Sequence, residues 1–221
     1  TSHSSSATVA EAVEKSMPWG VLQDGHGGIL ELPSALKCDP LQHLLVINLE
    51  GDAGKQRREH IKREFAKANL TGRFFFWSAV NALTDPRLAQ ETGRGQCPCK
   101  PKLSNSMSHR EIYEMMLYEG WPCTTIFEDD VLLAPNFTLR VSETVGSLPP
   151  FDVILWGYCP QGVKPRELQR DAGKYPLTLS SGYPGACLHA YTVSLQGAFT
   201  FTQAATPVRV PADGVLDGVK H

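Results

Sequence analysis

Hydrophobic runs of strand length alternate with segments of helical period along most of this chain. Residues 43–49 form a continuous apolar run typical of a buried strand. Residues 55–68 place Ile61, Phe65 and Ala68 on one face of a predicted helix. The same reasoning predicts strands at 73–80, 124–127, 151–158 and 185–193, and helices at 106–119, 137–146 and 195–205. This alternation predicts an α/β fold, with a mostly parallel central sheet flanked by helices.

The chain divides into a lead-in and one globular unit. Residues 1–40 lack a clear period and contain serine and glycine clusters, which predicts a flexible or loosely attached N-terminal segment. Residues 41–221 are long enough to form one domain with a sizeable core. Within this domain, residues 81–102 and 159–181 are rich in polar residues and proline, so we expect two long loops.

Three consecutive carboxylates, Glu128, Asp129 and Asp130, follow the predicted strand at 124–127. They repel one another and resist burial, so a positive partner is expected beside them. A hard divalent cation with oxygen ligands meets that need, and ligands tend to bind at the carboxyl ends of strands in open α/β sheets. A solvated acidic turn after a core strand explains the same residues, and the motif alone leaves both interpretations open.

His109 lies in a segment that has the features of a helix start. Ser108 and Glu111 have the spacing of a capping box, which would place His109 in the first turn. The helix dipole there disfavours the imidazolium, so a neutral ring able to form hydrogen bonds is expected. A surface histidine near a helix cap is the competing interpretation.

Composition and charge exclude some classes of function. The net charge of −2 gives no support for wholesale nucleic-acid binding or for a polybasic membrane patch. No apolar run approaches the roughly 20 residues of a membrane span. The turn after the first strand lacks both the dinucleotide-binding glycine fingerprint and a phosphate-binding loop, which disfavours a plain dehydrogenase or ATPase. Arg57 and Arg58 after that turn either reach a diphosphate or form a solvated helix face.

Cysteines and sequons bear on the compartment. The chain has six cysteines, and only Cys97 and Cys99 form a close pair, whose spacing does not indicate structural zinc. Two Asn-x-Thr sequons begin at Asn69 and Asn136. Together these features favour a location in the lumen of the secretory pathway, and the cytoplasmic face is the alternative location.

Several segments occur in an order that resembles glycosyltransferase family 25, which includes bacterial lipooligosaccharide galactosyltransferases and collagen hydroxylysine galactosyltransferases. The segments are 46–49, 57–58, 79–80, 108–109, 127–131, 151–154, 189–191, 213 and 216–217. The Ser-His pair, the Glu-Asp-Asp strand and the later His-Ala-Tyr are specific in combination. The resemblance implies that 41–221 is a GT-A type nucleotide-sugar-binding domain, cut short at its C-terminus. Residues 81–82, Asn-Ala, depart from the Asp-Gly common at this place in the family.

The resemblance also implies a reaction: an inverting hexosyltransferase would move galactose or glucose from a UDP-sugar to a hydroxyl of a glycan or protein acceptor, with Mn²⁺ or another divalent cation. The metal ligands would be Asp130, Glu128 and His189. The donor would contact Asn48, Leu49, Arg57, Arg58, His109, Glu128 and Asp129. Asp213 is the expected base, with Asp217 second. An inactive module that binds sugar nucleotide or glycan is the alternative, and a two-metal phosphoesterase is disfavoured because the histidines are scattered.

Overall fold

The structure is a computed structural model that describes residues 37–91, 100–145, 150–157, 159–160, 168–170, 177–179, 185–208 and 210–218. The side chains of residues 90–91, 159–186 and 216–218 are not part of that description. The predicted lead-in up to residue 36 and the pair Cys97 and Cys99 therefore lie outside the described residues. Among the described residues, no helix is both long enough and apolar enough to cross a membrane.

Strands and helices alternate through most of the described chain. The strands are β1 (Leu44–Asn48), β2 (Phe75–Ser78), β3 (Cys123–Glu128), β4 (Val153–Leu155), β5 (Cys159–Pro160), β6 (Leu168–Arg170), β7 (Leu177–Leu179), β8 (Gly185–Ala186) and β9 (Ala190–Ser194). The helices are α1 (Lys55–Lys67), α2 (Arg87–Glu91), α3 (Lys100–Glu119), α4 (Phe137–Val145), α5 (Leu195–Ala204) and α6 (Ala212–Gly218). The predicted strand at 185–193 is therefore two strands, and Cys187 between them has a positive φ of 80°.

The central sheet has five strands in the order β2-β1-β3-β9-β4. β1 pairs in parallel with both β2 and β3, whereas β9 runs antiparallel to β3 and to β4. The sheet is therefore mixed rather than the mostly parallel sheet that the alternation of elements predicts. The described part of the connection from β4 to β9 consists of the short strands β5 to β8.

Apolar side chains cover both faces of the sheet. Successive residues of a strand point to opposite faces. On β1, Leu45 and Ile47 join a core with α3 and α5, while Leu44 and Val46 join a second core with α1. This double burial explains why β1 is a continuous apolar run in the sequence. The predicted apolar face of α1 is confirmed, because Ile61, Phe65 and Ala68 are fully buried in the second core; Phe137 and Val141 of α4 belong to it as well.

The helix that carries His109 begins earlier than predicted. α3 starts at Lys100, so Ser108 lies in its interior and the capping-box interpretation is wrong. The Ser108 hydroxyl instead accepts a hydrogen bond from the backbone N–H of Val80 at 2.9 Å and donates to the carbonyl of Ser104 at 2.8 Å. His109 is consequently not in the first turn, and its surroundings, rather than the helix dipole, determine what its ring can do.

A disulfide fastens the beginning of the described chain to the sheet. Cys38 is bonded to Cys123, the first residue of β3, across a sequence separation of 85 residues. Beside it, the Thr125 hydroxyl donates to the Pro40 carbonyl at 2.6 Å. Cys187 is also disulfide-bonded. The segment that precedes β1 is thus tied covalently and by hydrogen bonds to the central strand of the domain.

Candidate functional site

Polar side chains gather at one edge of the central sheet. Because β1, β2 and β3 are parallel, their carboxyl ends at Asn48, Ser78 and Glu128 lie at the same edge. β9 runs the other way and begins there, which brings His189 to this edge: its carbonyl accepts a hydrogen bond from the Glu128 N–H at 3.0 Å. Segments far apart in sequence therefore meet at the end of β3.

A cavity of about 620 Å³ opens at this edge. It is lined by Lys102, Asn105, Glu128, Asp130, Val131, Leu132, Cys187, Leu188, His189, Pro211, Ala212 and Asp213. Three carboxylates and an imidazole share this wall with one cationic side chain, that of Lys102. Since carboxylate and imidazole are the donor types that bind Mn²⁺-like ions, the chemistry of the lining fits a divalent cation.

The β1–α1 loop is held by a network around Asn48. The Asn48 side-chain amide donates to Asp129 Oδ2 at 2.7 Å and to the Gly54 carbonyl at 3.2 Å. Arg58 Nη1 donates to Asn48 Oδ1 at 2.8 Å and to the Leu49 carbonyl at 2.6 Å, and Arg58 Nη2 donates to the Gly51 carbonyl. The Arg58 guanidinium therefore shapes this loop and links it, through Asn48, to the acidic motif.

Gly54 permits the close approach within this loop. A Cβ at this position would overlap the Leu49 carbonyl oxygen and Asn48 Oδ1, and would lie 2.8 Å from Arg58 Nη1. The glycine before α1 is thus required by packing against the loop, and not by a phosphate-binding sequence pattern.

Replacing Gly54 by Ala is expected to destabilise the domain by about 1–3 kcal/mol, because the added methyl forces the loop and the Arg58 guanidinium apart. Urea denaturation followed by far-UV circular dichroism measures the change. Ala53→Ser, at an exposed neighbouring position, is the matched control and should have the same urea midpoint as the wild type. An unchanged midpoint for Gly54→Ala would show that the loop relaxes freely.

Glu128 lies against two side chains of α3. Its Oε1 accepts a hydrogen bond from the Asn105 side-chain amide at 3.1 Å and lies 3.9 Å from His109 Nε2. Burial raises the pKa of Glu128, but His109, Asn105 and the nearby His189 outweigh burial and hold the pKa below its usual value. The group is therefore ionised at neutral pH although it is largely surrounded by protein.

The other two acids have different surroundings. Burial raises the pKa of Asp129 above its usual value, against the hydrogen bond from Asn48 and the charge of Arg57. Asp130 lines the cavity and forms an ion pair with Arg57 at 3.2 Å, in which both side chains are about half exposed. An exposed pair of this kind is weak, so a more highly charged partner can replace the guanidinium.

Among the residues that the structure describes, no three His, Cys, Asp or Glu side chains already form a group that could hold a metal ion. Glu128, Asp130, His189 and Asp213 share one cavity without being assembled around a common point. The His189 ring packs against Gly157, where a Cβ would lie 2.8 Å from Nε2. A cation would therefore have to draw these side chains together.

A second cavity, of about 710 Å³, lies on the β2 side of the same edge. Its lining includes Leu49 and Glu50 from the β1–α1 loop and Phe76, Trp77 and Ser78 from β2. Arg87 on its wall is held by ion pairs to Asp85 and Glu111, both at 2.6 Å. This cavity combines aromatic, polar and backbone groups, which are the usual means of binding a planar heterocycle.

The structure brings most of the predicted site residues to the same edge of the sheet. Asn48 and Asp129 are in direct contact, Leu49 lines the second cavity, and Asp213 lines the first from the start of α6. Asp217 lies on α6, but its side chain is outside the description. His109 is buried, and its Nε2 lies 3.9 Å from Glu128 Oε1.

Lys102 and Asn105 were not predicted as site residues. They precede His109 on α3 by seven and four positions, and residues at such spacings share one face of a helix. The spacing would have indicated them if the helix had been predicted to begin at Lys100. The sequence pattern instead predicts a loop up to residue 102 and a helix that begins at Ser106.

Comparison with known proteins gives the family. The model of glycosyltransferase family 25, described as an LPS biosynthesis protein family, matches residues 41–159, more than half of the chain. A Haemophilus influenzae protein named "Putative glycosyltransferase" is 29% identical over 171 residues, which cover 71% of this chain and 55% of that protein. The Lipooligosaccharide biosynthesis protein lic2B of Haemophilus influenzae is 31% identical over 96 residues, 40% of this chain and 34% of that protein.

The chain thus spans about half the length of the first relative and a third of the second. The matched family segment extends from the residues before β1 to β5 and contains the Asn48 network, α3 and the acidic end of β3. On this match, the chain belongs to glycosyltransferase family 25.

Proposed function

We propose that this chain is a GT-A type domain that transfers galactose or glucose from a UDP-sugar to a hydroxyl of a glycan or protein acceptor, with inversion and with Mn²⁺ or a similar cation. The observation that carries the proposal is the meeting of Glu128, Asp130, His189 and Asp213 at one cavity, beside the loop that Asn48 holds. Membership of a glycosyltransferase family supports the reaction class.

The two cavities suggest how the donor would lie. The second cavity, next to Leu49, offers Trp77 to a uracil ring. The diphosphate would then extend along the sheet edge toward the acidic motif in the first cavity. Arg57 and Lys102 are the cationic side chains near that route, since Arg58 already donates to three acceptors in the loop.

The reaction needs charge stabilisation and a base. A divalent cation held by Asp130, with Glu128 and His189, would neutralise the charge that develops on the departing diphosphate. Asp213 would accept the proton of the acceptor hydroxyl while the hydroxyl oxygen bonds to the anomeric carbon and the bond to the diphosphate breaks. Placement of Asp213 on the wall of the same cavity, across from β3, supports this assignment.

Two observations favour a second function. Asp130 is already paired with Arg57, and the described residues contain no assembled group of metal ligands. A domain that binds sugar nucleotide or glycan without turnover would be compatible with both facts.

A screen of UDP-sugars for release of UDP, with Mn²⁺ and with chelator, separates the two functions. The transferase predicts release from UDP-galactose or UDP-glucose that depends on the metal and is abolished by chelator. Binding of UDP-sugar without release under any condition would establish the binding module.

His189→Ala is expected to lower the rate of UDP release by roughly 10- to 100-fold, and the Mn²⁺ concentration needed for saturation should rise.

A further inference from the structure

Three polar side chains form a continuous chain inside an otherwise apolar core. The Tyr191 hydroxyl lies 2.7 Å from the Tyr113 hydroxyl and 2.7 Å from His109 Nδ1. All three side chains are buried, with at most 2% exposure, and the two tyrosines belong to the core that α3 and α5 form with the sheet. Burying such groups is unfavourable unless each is paired, so their arrangement requires an explanation beyond packing.

The chain leads to the candidate site at one end. His109 Nε2 has no hydrogen-bond partner among the described residues, and it faces Glu128 Oε1 at 3.9 Å. The same oxygen accepts the hydrogen bond from Asn105. Glu128 lines the first cavity, so the buried chain connects the interior of the domain to a carboxylate in that cavity.

The direction of the hydrogen bonds follows from the position of Glu128 Oε1, which lies 3.9 Å from His109 Nε2. An imidazole protonated at Nδ1 would turn the Nε2 lone pair toward a carboxylate, which is unfavourable. The tautomer protonated at Nε2 places an N–H toward Oε1 and leaves Nδ1 to accept from the Tyr191 hydroxyl. Tyr113 then donates to Tyr191, and burial raises the pKa of Tyr113, which keeps its proton in place.

We infer that His109, Tyr191 and Tyr113 are positioning residues that, with Asn105, fix the orientation of Glu128 in the candidate site. Asn105 and His109 lie next to Oε1, so that Oε2 is the oxygen available to a bound group, and the two tyrosines hold the His109 ring in place. On this inference His109 does not contact the donor. The inference rests on the proposed function for its kinetic consequence, but its structural content can be tested separately.

The first test does not depend on activity. Nitrogen-15 spectra of histidine-labelled protein at neutral pH, with the His109 signals assigned by comparison with His109→Gln, report which ring nitrogen carries the proton. We expect the proton at Nε2 and an unprotonated Nδ1 that accepts from the Tyr191 hydroxyl. A ring protonated at Nδ1, or a mixture of the two tautomers, would overturn the inferred direction of the chain whether or not the protein is a transferase.

The second test uses turnover. Tyr191→Phe removes one hydroxyl and is expected to lower kcat by roughly 10- to 100-fold, with the KM for the UDP-sugar unchanged. In a Glu128→Gln background the same substitution should have no further effect, since it acts through Glu128. An equal loss in both backgrounds, or a change in KM alone, would overturn the inference.

Two further variants keep the test decisive. Tyr113→Phe, one hydrogen bond farther from Glu128, should also lower kcat, but by a smaller factor. This variant replaces Tyr191→Phe in the test if Tyr191→Phe does not fold. Tyr118→Phe, at an exposed position on the same helix, is the matched control and should behave as the wild type. If the wild-type chain shows no turnover, the proposed function fails while the nitrogen-15 spectrum still decides the arrangement of the chain.

Discussion

Asp130→Asn is expected to lower metal-dependent release of UDP by roughly 100- to 1,000-fold, the effect of removing one charge-stabilising group from a reacting centre. The substitution keeps the size of the side chain and removes its charge, so the cavity retains its shape but loses an anionic donor. Steady-state rates with saturating UDP-sugar and a series of Mn²⁺ concentrations measure the effect. The expected loss of rate persists at high Mn²⁺ concentration if Asp130 stabilises the transition state and does not act only in binding the metal.

Stability distinguishes this loss from unfolding. The ion pair of Asp130 with Arg57 is about half exposed on each side, so its removal should leave the urea midpoint almost unchanged. Asp52→Asn is the matched control, because Asp52 is exposed on the β1–α1 loop and lines neither cavity. Full activity in Asp130→Asn would remove this residue from the proposed mechanism.

Loss of the disulfide between Cys38 and Cys123 is expected to destabilise the domain by about 2–5 kcal/mol. The bond closes a chain segment across a separation of 85 residues, and cross-links over long segments restrict the unfolded chain most. The bond also fastens the segment that precedes β1 to β3, the strand at whose end the acidic motif lies. Urea denaturation of Cys38→Ser measures the change in the free energy of unfolding.

The reducing agent provides the control for this prediction. Because Cys187 is also disulfide-bonded, reduced wild-type protein loses more than one bond. Cys38→Ser without reductant measures the contribution of the Cys38–Cys123 bond alone. Any further loss of stability on reduction measures the contribution of the remaining disulfides. A Cys38→Ser midpoint equal to that of the oxidised wild type would contradict the prediction. Disulfides form in oxidising compartments, the kind of compartment that the sequence features favour.

The parts of the fold that the sequence predicted are those with a strong local pattern. β1 is buried on both faces and reads as an unbroken apolar run, and α1 shows its buried face at helical spacing. The direction of β9 could not be predicted, since nothing local distinguishes a strand that enters a sheet antiparallel. The sequence does not predict the early start of α3, because Pro101 ends a polar, proline-containing stretch that indicates a loop up to residue 102, although proline is tolerated in a first helical turn.

The site was predictable to the extent that its residues lie at strand ends. Asn48 and the acidic motif follow β1 and β3, and parallel strands end at the same edge. The roles were harder to predict, because they depend on contacts between distant segments. Arg58 is held by the loop before it, and His109 is held by Tyr191, 82 positions later. No local pattern reports such contacts.

Binding of UDP, measured by titration calorimetry with and without Mn²⁺, tests most directly whether the acidic end of β3 holds a cation that in turn holds a diphosphate. The account predicts that UDP binds the wild-type protein much more tightly when Mn²⁺ is present and that Asp130→Asn abolishes this difference. Equal UDP affinity with and without the metal, or an unchanged metal effect in Asp130→Asn, would contradict it.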